Sequence, residues 1–246
     1  MSGPSGKGET IIVFGASSGV GEAVATLAHR QGARAVAVGR DGRKLEALRG
    51  RVGGVEVASV DASRREDVDA FFHAQGAFDH LVIALSGGKG AGAFRELPLD
   101  DVRSGFEAKF FPQLSVAQAA LSTLKKEGGS ITFISAASAR SVAPGTAGLA
   151  AINAAIEAVI PVLALELAPI RVNGISPGVI DTPWWDTVPA DVKAGFFERA
   201  RANLPVRRVG TPEEVAELVW FLAHAGFVTG SVYEIDGGHR LTASRA

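Results

Sequence analysis

The residues best placed to do chemistry begin with a glycine-rich run, Gly15-Ala16-Ser17-Ser18-Gly19-Val20-Gly21. Glycines let a backbone turn sharply and approach a pyrophosphate, and the start of the helix that follows offers unpaired N–H groups and a partial positive charge. Downstream, Arg40 ends an apolar run and is followed by Arg43 and Lys44. An acidic residue there would hold the ribose 2′-hydroxyl of NAD(H), whereas arginine accommodates a 2′-phosphate. Asp41 comes one residue too late, so NADP(H) is the expected ligand and NAD(H) the less favoured one. The chain has no cysteine, which removes disulfides, thiolate metal sites and cysteine nucleophiles. Its histidines (His29, His73, His80, His224, His239) show no ligand spacing and are expected at the surface or in loops, with no metal site.

The elements that must position these groups follow from periodicity. Short β-branched runs at 10–14, 35–38, 55–60, 81–85, 130–134, 171–175 and 232–235 alternate with helical patterns at 22–31, 42–50, 64–75, 100–126, 149–167 and 212–224. Continuously apolar strands such as Leu81-Val82-Ile83-Ala84-Leu85 imply burial on both faces. The fold class is therefore α/β, a single-domain Rossmann-type doubly wound fold with a mostly parallel seven-stranded sheet and helices on both faces. Residues 1–8 read as a disordered tail, 9–246 as the domain, and about 182–204 as a lid.

Bulk composition narrows the partners. Hydrophobic residues make up 47%, ample for one large core, and the net charge of −1 gives no reason to expect nucleic acid or an anionic membrane. The most apolar stretch, 150–168, is interrupted by Asn153, Glu157 and Glu166, so no uncharged membrane span is expected. A soluble cytoplasmic protein follows.

The glycine spacing resembles that of the short-chain dehydrogenase/reductase family, and the likeness runs almost to the C-terminus. Pro177-Gly178-Val179-Ile180-Asp181-Thr182 resembles the family's loop over the nicotinamide carboxamide. Arg208-Val209-Gly210-Thr211-Pro212-Glu213-Glu214-Val215-Ala216 and the span from Thr229-Gly230 to Asp236-Gly237-Gly238 match its C-terminal signature. The resemblance implies cofactor contacts at Gly15, Ser17, Ser18, Gly19, Val20, Gly21, Arg40, Asp61, Ala62, Ser86, Gly87, Asn153, Pro177, Gly178, Ile180 and Thr182, with Asp61 near the adenine. Two departures stand in this half. Phe14 replaces the family's usual threonine, and Ala84-Leu85-Ser86-Gly87 replaces its Asn-Asn-Ala-Gly run.

The larger departure is catalytic. In register with Ala154-Ala155-Ile156-Glu157-Ala158, the family's lysine position is Asn153, its tyrosine position Leu149 and its serine position Ala136. Leucine can neither give nor take a proton, and Tyr233 is the only tyrosine. The family's fourth catalytic residue, an asparagine, corresponds to Lys109, so lysine and asparagine have exchanged places across one cavity. Pro112 is expected to bend the helix there by disfavouring a bond to the Ala108 carbonyl. Candidate catalytic residues are thus Lys109, projecting into the space left by Leu149 and Asn153 with its pKa lowered by desolvation, together with Ser138 and Asn153. Trp184-Trp185 in the lid suggest an apolar or planar carbonyl substrate.

Three functions stay open at this level. The first is a divergent NADP(H)-dependent oxidoreductase that reduces a ketone with Lys109 as proton donor. The second is an NADP(H)-binding protein without turnover, acting as sensor, scaffold or partner subunit. The third is a non-redox enzyme on the same scaffold. The resemblance also implies a homodimer or homotetramer built on the helix that carries Leu149 and Asn153.

Overall fold

The computed structural model describes residues 5–242. Residues 1–4 of the expected tail lie outside the described residues. A turn at Lys7 and Gly8 is closed by the Glu9 N–H on the Gly6 carbonyl at 3.1 Å, and Gly6 is buried with its N–H on the Gln31 carbonyl at 3.0 Å.

Seven strands, β1 (Thr10–Phe14), β2 (Arg34–Gly39), β3 (Glu56–Ser59), β4 (His80–Ile83), β5 (Ser130–Ile134), β6 (Arg171–Pro177) and β7 (Val232–Ile235), form one sheet in the order β3-β2-β1-β4-β5-β6-β7. Every neighbouring pair is parallel. The helices are α1 (Gly19–Arg30), α2 (Gly42–Val52), α3 (Arg65–Gln75), α4 (Leu99–Gly105), α5 (Phe111–Ala120), α6 (Ala147–Glu166), α7 (Ala190–Asn203), α8 (Pro212–His224) and α9 (His239–Thr242).

Alternation along the strands splits the core in two. Ile12 and Phe14 of β1 face a cluster with Phe71 and Phe72 of α3, Val116 of α5 and Ile156 of α6. Ile11 and Val13 face the opposite cluster, with Val24 of α1, Leu45 of α2 and Val215 of α8. The strand order reverses between β1 and β4, and open α/β sheets bind ligands at such a reversal, beyond the carboxyl ends of the strands.

Two sequence expectations need correction, the unbroken helix at 100–126 and the surface placement of the histidines. The single helix expected at 100–126 is broken, because a π-helical turn, Phe106–Phe110, separates α4 from α5. The N–H of Phe111 reaches back five residues to the Phe106 carbonyl, and Pro112 just beyond has no N–H with which to resume an α-helical ladder there.

The helix α6 is, by length and composition, long and apolar enough to cross a membrane, with mean hydropathy 2.0. Here Ile156, Ile160 and Ala164 pack on the sheet, Asn153 and Glu157 are buried in hydrogen bonds, and Ala151, Ala154, Ala158, Val162 and Leu165 are exposed.

The histidines are not all surface residues. His80 opens β4, is buried, and has its pKa pushed down to about 4 by burial and then by nearby His224. His224 ends α8 with its ring 4.2 Å from that of Trp220.

The expected lid is largely helical. A 3₁₀ turn, Pro183–Thr187, leads into α7, and Trp185 packs its ring on Phe196 and Phe197 while its Nε1 donates to the Ile180 carbonyl at 2.9 Å.

Candidate active site

A cavity of about 1160 Å³ opens beyond the carboxyl ends of β1 and β4. Its far end, under the glycine-rich turn, is shaped by backbone contact. A side chain at Gly15 would put Cβ 2.5 Å from the Ala84 carbonyl oxygen, and one at Gly21 would come 2.3 Å from that of Gly15. The turn can lie this close to β4 and α1 only without Cβ atoms, and Gly15 also has φ of 83°. Ser18, the N-cap of α1, makes no side-chain capping bond. The start of α1 is therefore open to an anion, as a phosphate cradle requires.

All of the expected cofactor residues line this cavity: Gly15, Ser17, Ser18, Gly19, Val20, Gly21, Arg40, Asp61, Ala62, Ser86, Gly87, Asn153, Pro177, Gly178, Ile180 and Thr182. Asp41 lines it too, but its carboxylate caps α2 by accepting from the N–H groups of Arg43 and Lys44, at 3.1 and 3.2 Å. That leaves the exposed cationic side chains of Arg40, Arg43 and Lys44, all of which line the cavity, to meet a ligand at the end of β2, with Arg40 directly after the strand. Asp61 accepts from the hydroxyl and the N–H of Ser63, and these bonds hold its pKa below the usual carboxylate range.

The two departures have a structural account. Phe14 is fully buried, with its ring edge-on to Phe71 at 5.5 Å, so the position belongs to the core rather than to a polar network. Gln113 of α5 ties the strand ends together instead, donating to the carbonyls of Leu85 at 3.0 Å and Ile134 at 3.2 Å.

At the near end stand the catalytic candidates. Lys109, in the π-helical turn, is buried, and its Nζ donates to Asn153 Oδ1 at 2.7 Å and to the Ser135 carbonyl at 3.0 Å. An ammonium has three donors, so one remains for another acceptor. Burial pushes the pKa of Lys109 down to about 8, against the pull of the Glu157 charge, which favours the protonated form. The amide of Asn153 donates to Ser138 Oγ at 3.0 Å and to the Leu149 carbonyl at 2.9 Å. Asn153, also expected at a ribose, thus orients Lys109 and Ser138 at once. Because Ser138 accepts from Asn153, its own proton is left for a different partner. Leu149, half-buried, lines the cavity beside them.

Sequence reasoning missed the support behind this group. Glu157 accepts from Ser135 Oγ at 2.7 Å and from Arg140 Nε at 2.6 Å, and Arg140 also reaches Glu234 of β7 at 3.1 Å. The signal was available: Glu157 lies one helical turn after Asn153, on the same face of an otherwise apolar helix. Over the cavity mouth, the Cβ of Thr182 lies 3.4 Å from where a Cβ on Gly19 would stand, and Trp184 and Trp185 form part of the wall.

Comparison with known proteins agrees with this geometry. The family model described as enoyl-(acyl carrier protein) reductase matches residues 15–240. The 3-oxoacyl-(acyl-carrier-protein) reductase of Thermotoga maritima is 30% identical over 250 residues, covering 94% of this chain and 98% of that protein. The human enzyme of the same name is 30% identical over 237 residues, covering 93% and 97%. Among solved structures, a small-chain dehydrogenase in complex with NADPH superposes with a TM-score of 0.80 at 34% identity, covering 95% of this chain and 99% of that one. A glucose/ribitol-type short-chain dehydrogenase/reductase from Brucella melitensis gives 0.86 at 29% identity, covering 95% and 97%. With the glycine turn, the reversal point and the match over nearly its whole length, the chain belongs to the short-chain dehydrogenase/reductase family.

Proposed function

We propose that this chain is an NADP(H)-dependent oxidoreductase that reduces a carbonyl group, with Lys109 as its proton donor. The observation that carries the reading is the buried Lys109 amine, held by Asn153 and Ser135 in the cavity where Leu149 offers no proton. NADPH, when bound, supplies the hydride. Ser138 Oγ holds the substrate oxygen, Lys109 Nζ protonates it as charge develops, and the amine then regains a proton from solvent. A pKa near 8 keeps much of the amine protonated at neutral pH and still lets it release the proton, which is what a general acid needs. The relatives named as 3-oxoacyl reductases and the NADPH-bound neighbour support both the reaction class and the cofactor. Trp184 and Trp185 favour an apolar or planar substrate.

Arg40 is the residue that selects NADPH. In calorimetric titrations, Arg40→Ala should weaken NADPH about ten- to hundredfold, the worth of a charge-assisted bond, and leave NADH unchanged. Unaltered NADPH affinity would overturn this assignment.

A second reading rests on Leu149 itself, which puts an inert side chain where the family keeps its acid. On that reading the chain binds NADPH without oxidising it. A carbonyl panel decides between the two: substrate-dependent loss of NADPH absorbance supports the reductase, and binding with no turnover on any carbonyl supports the second.

The exposed apolar stripe of α6, with Leu165 at 82% and Val162 at 52% exposure, supports assembly as a homodimer or homotetramer. Leu165→Glu should shift the mass seen by light scattering toward the monomer, since an unpaired charge in an apolar interface costs several kcal/mol. A wild-type chain that is already monomeric would refute the assembly.

A further inference from the structure

At the opposite end of the sheet from the cavity, three side chains from separate elements converge: Glu9 just before β1, His80 at the start of β4, and His224 at the end of α8. One potential ligand atom from each lies within 4.8 Å of the others.

The hydrogen bonds decide which atoms face inward. His224 Nδ1 is 2.8 Å from the Trp220 carbonyl. A carbonyl only accepts, so Nδ1 carries the proton, and in the neutral ring Nε2 is a lone pair. That lone pair faces Glu9 Oε2 at 2.8 Å. Two electron-rich atoms at this separation repel unless a positive centre sits between them.

His80 repeats the arrangement. Its Nδ1 lies 2.9 Å from Ser130 Oγ and its Nε2 lies 3.9 Å from the same Glu9 oxygen. Two imidazoles, each tethered through Nδ1, therefore aim Nε2 at one carboxylate oxygen. Metal-binding histidines are held in this way, with the outer nitrogen bonded to a carbonyl or other polar group.

The spacing fits as well. Around a tetrahedral zinc ion, with bonds of about 2.0–2.1 Å, ligand atoms stand about 3.3 Å apart. The observed 2.8 and 3.9 Å to Glu9 bracket that value, and all three ligand atoms lie within 4.8 Å of one another, so an ion would draw the wider pairs inward. The neighbouring cations are engaged elsewhere. Arg171 donates to the carbonyls of Leu222 and Ala225, and Lys125 pairs with Asp79 at 2.6 Å.

We propose that Glu9, His80 and His224 form a binding site for a divalent cation of the zinc class, distinct from the NADP(H) cavity and open to solvent on the Glu9 side. Such an ion would join the start of β1, the start of β4 and the end of α8. Its role is to brace the fold.

The test uses the full chain, stripped with chelator and titrated with Zn²⁺ by calorimetry, with melting temperature followed in parallel. The expected result is one saturable equivalent and a rise in melting temperature. Co²⁺ in its place should give the visible absorption of a tetrahedral site. His224→Gln and Glu9→Gln should each abolish the saturable equivalent, with folding checked by circular dichroism. Ser130→Ala leaves all three ligands in place, and should weaken Zn²⁺ about ten- to hundredfold by loosening His80. His29→Ala should bind as wild type. Absence of saturable Zn²⁺ binding would overturn the site and leave His224 and Glu9 as a proton-bound pair. Binding that survives both His224→Gln and Glu9→Gln would overturn it equally.

Discussion

Lys109→Met should slow NADPH-dependent carbonyl reduction by about 10²–10⁴-fold, the usual worth of a positioned acid, with NADPH affinity unchanged. Methionine keeps the bulk of the buried stem and removes the donor. Lys109→Arg separates two roles that methionine merges. Arginine keeps the positive charge, but its guanidinium does not release a proton in the working pH range. If Lys109 donates the proton, both variants fail. If it only stabilises the developing alkoxide by its charge, arginine retains much of the rate. The pH profile carries an independent sign. The ammonium is the acid, so kcat for reduction should be level below pH about 8 and fall tenfold per unit above it as Nζ deprotonates. A profile without an inflection near that value, or a methionine variant with wild-type kcat, would remove Lys109 from the chemistry.

The largest effect on stability should come from Arg171, at the start of β6. Its guanidinium is buried and donates to the carbonyls of Leu222, Ala223 and Ala225. These carbonyls lie at the C-terminal end of α8, where a helix leaves its last acceptors unpaired and carries partial negative charge. Arg171→Met would take this donor from the carbonyls of Leu222 and Ala223, while that of Ala225 keeps the Val228 N–H at 3.0 Å. Buried acceptors that lose their partners cost about 1–3 kcal/mol each, so a loss of about 3 kcal/mol or more is expected. The measurement is the shift of the urea unfolding midpoint at constant slope. A shift equivalent to less than about 1 kcal/mol would mean that water replaces the arginine and the buried-acceptor argument fails.

Both predictions rest on features that differ in how readily the sequence displays them. The sheet was legible because parallel strands buried on both faces read as unbroken apolar runs, and β1, β5 and β7 begin and end where periodicity puts them. The glycine turn was legible because its residue types follow from local backbone demands. The broken helix around Lys109 was only half legible. Pro112 announced a disturbance, but whether the backbone kinks or inserts an extra residue depends on tertiary packing against α6. The bonds of Gln113 and the meeting of Glu9, His80 and His224 were hidden for one shared reason. Each pairs groups from separate parts of the chain, and nothing local marks a side chain whose partner lies 71 or 215 residues away. The hydropathy of α6 reflects two apolar faces, one against the sheet and one outward.

The chain's three tryptophans are distributed so that its intrinsic fluorescence is informative about both ends of the sheet. Trp184 and Trp185 line the cavity wall, and Trp220 lies against the ring of His224. Light absorbed at the first pair is open to energy transfer to a reduced nicotinamide bound in the cavity. Emission from the third would report on an ion held by the imidazole beside it at the proposed site. Single-tryptophan variants would therefore turn one protein into two separate optical gauges, each blind to events at the opposite end.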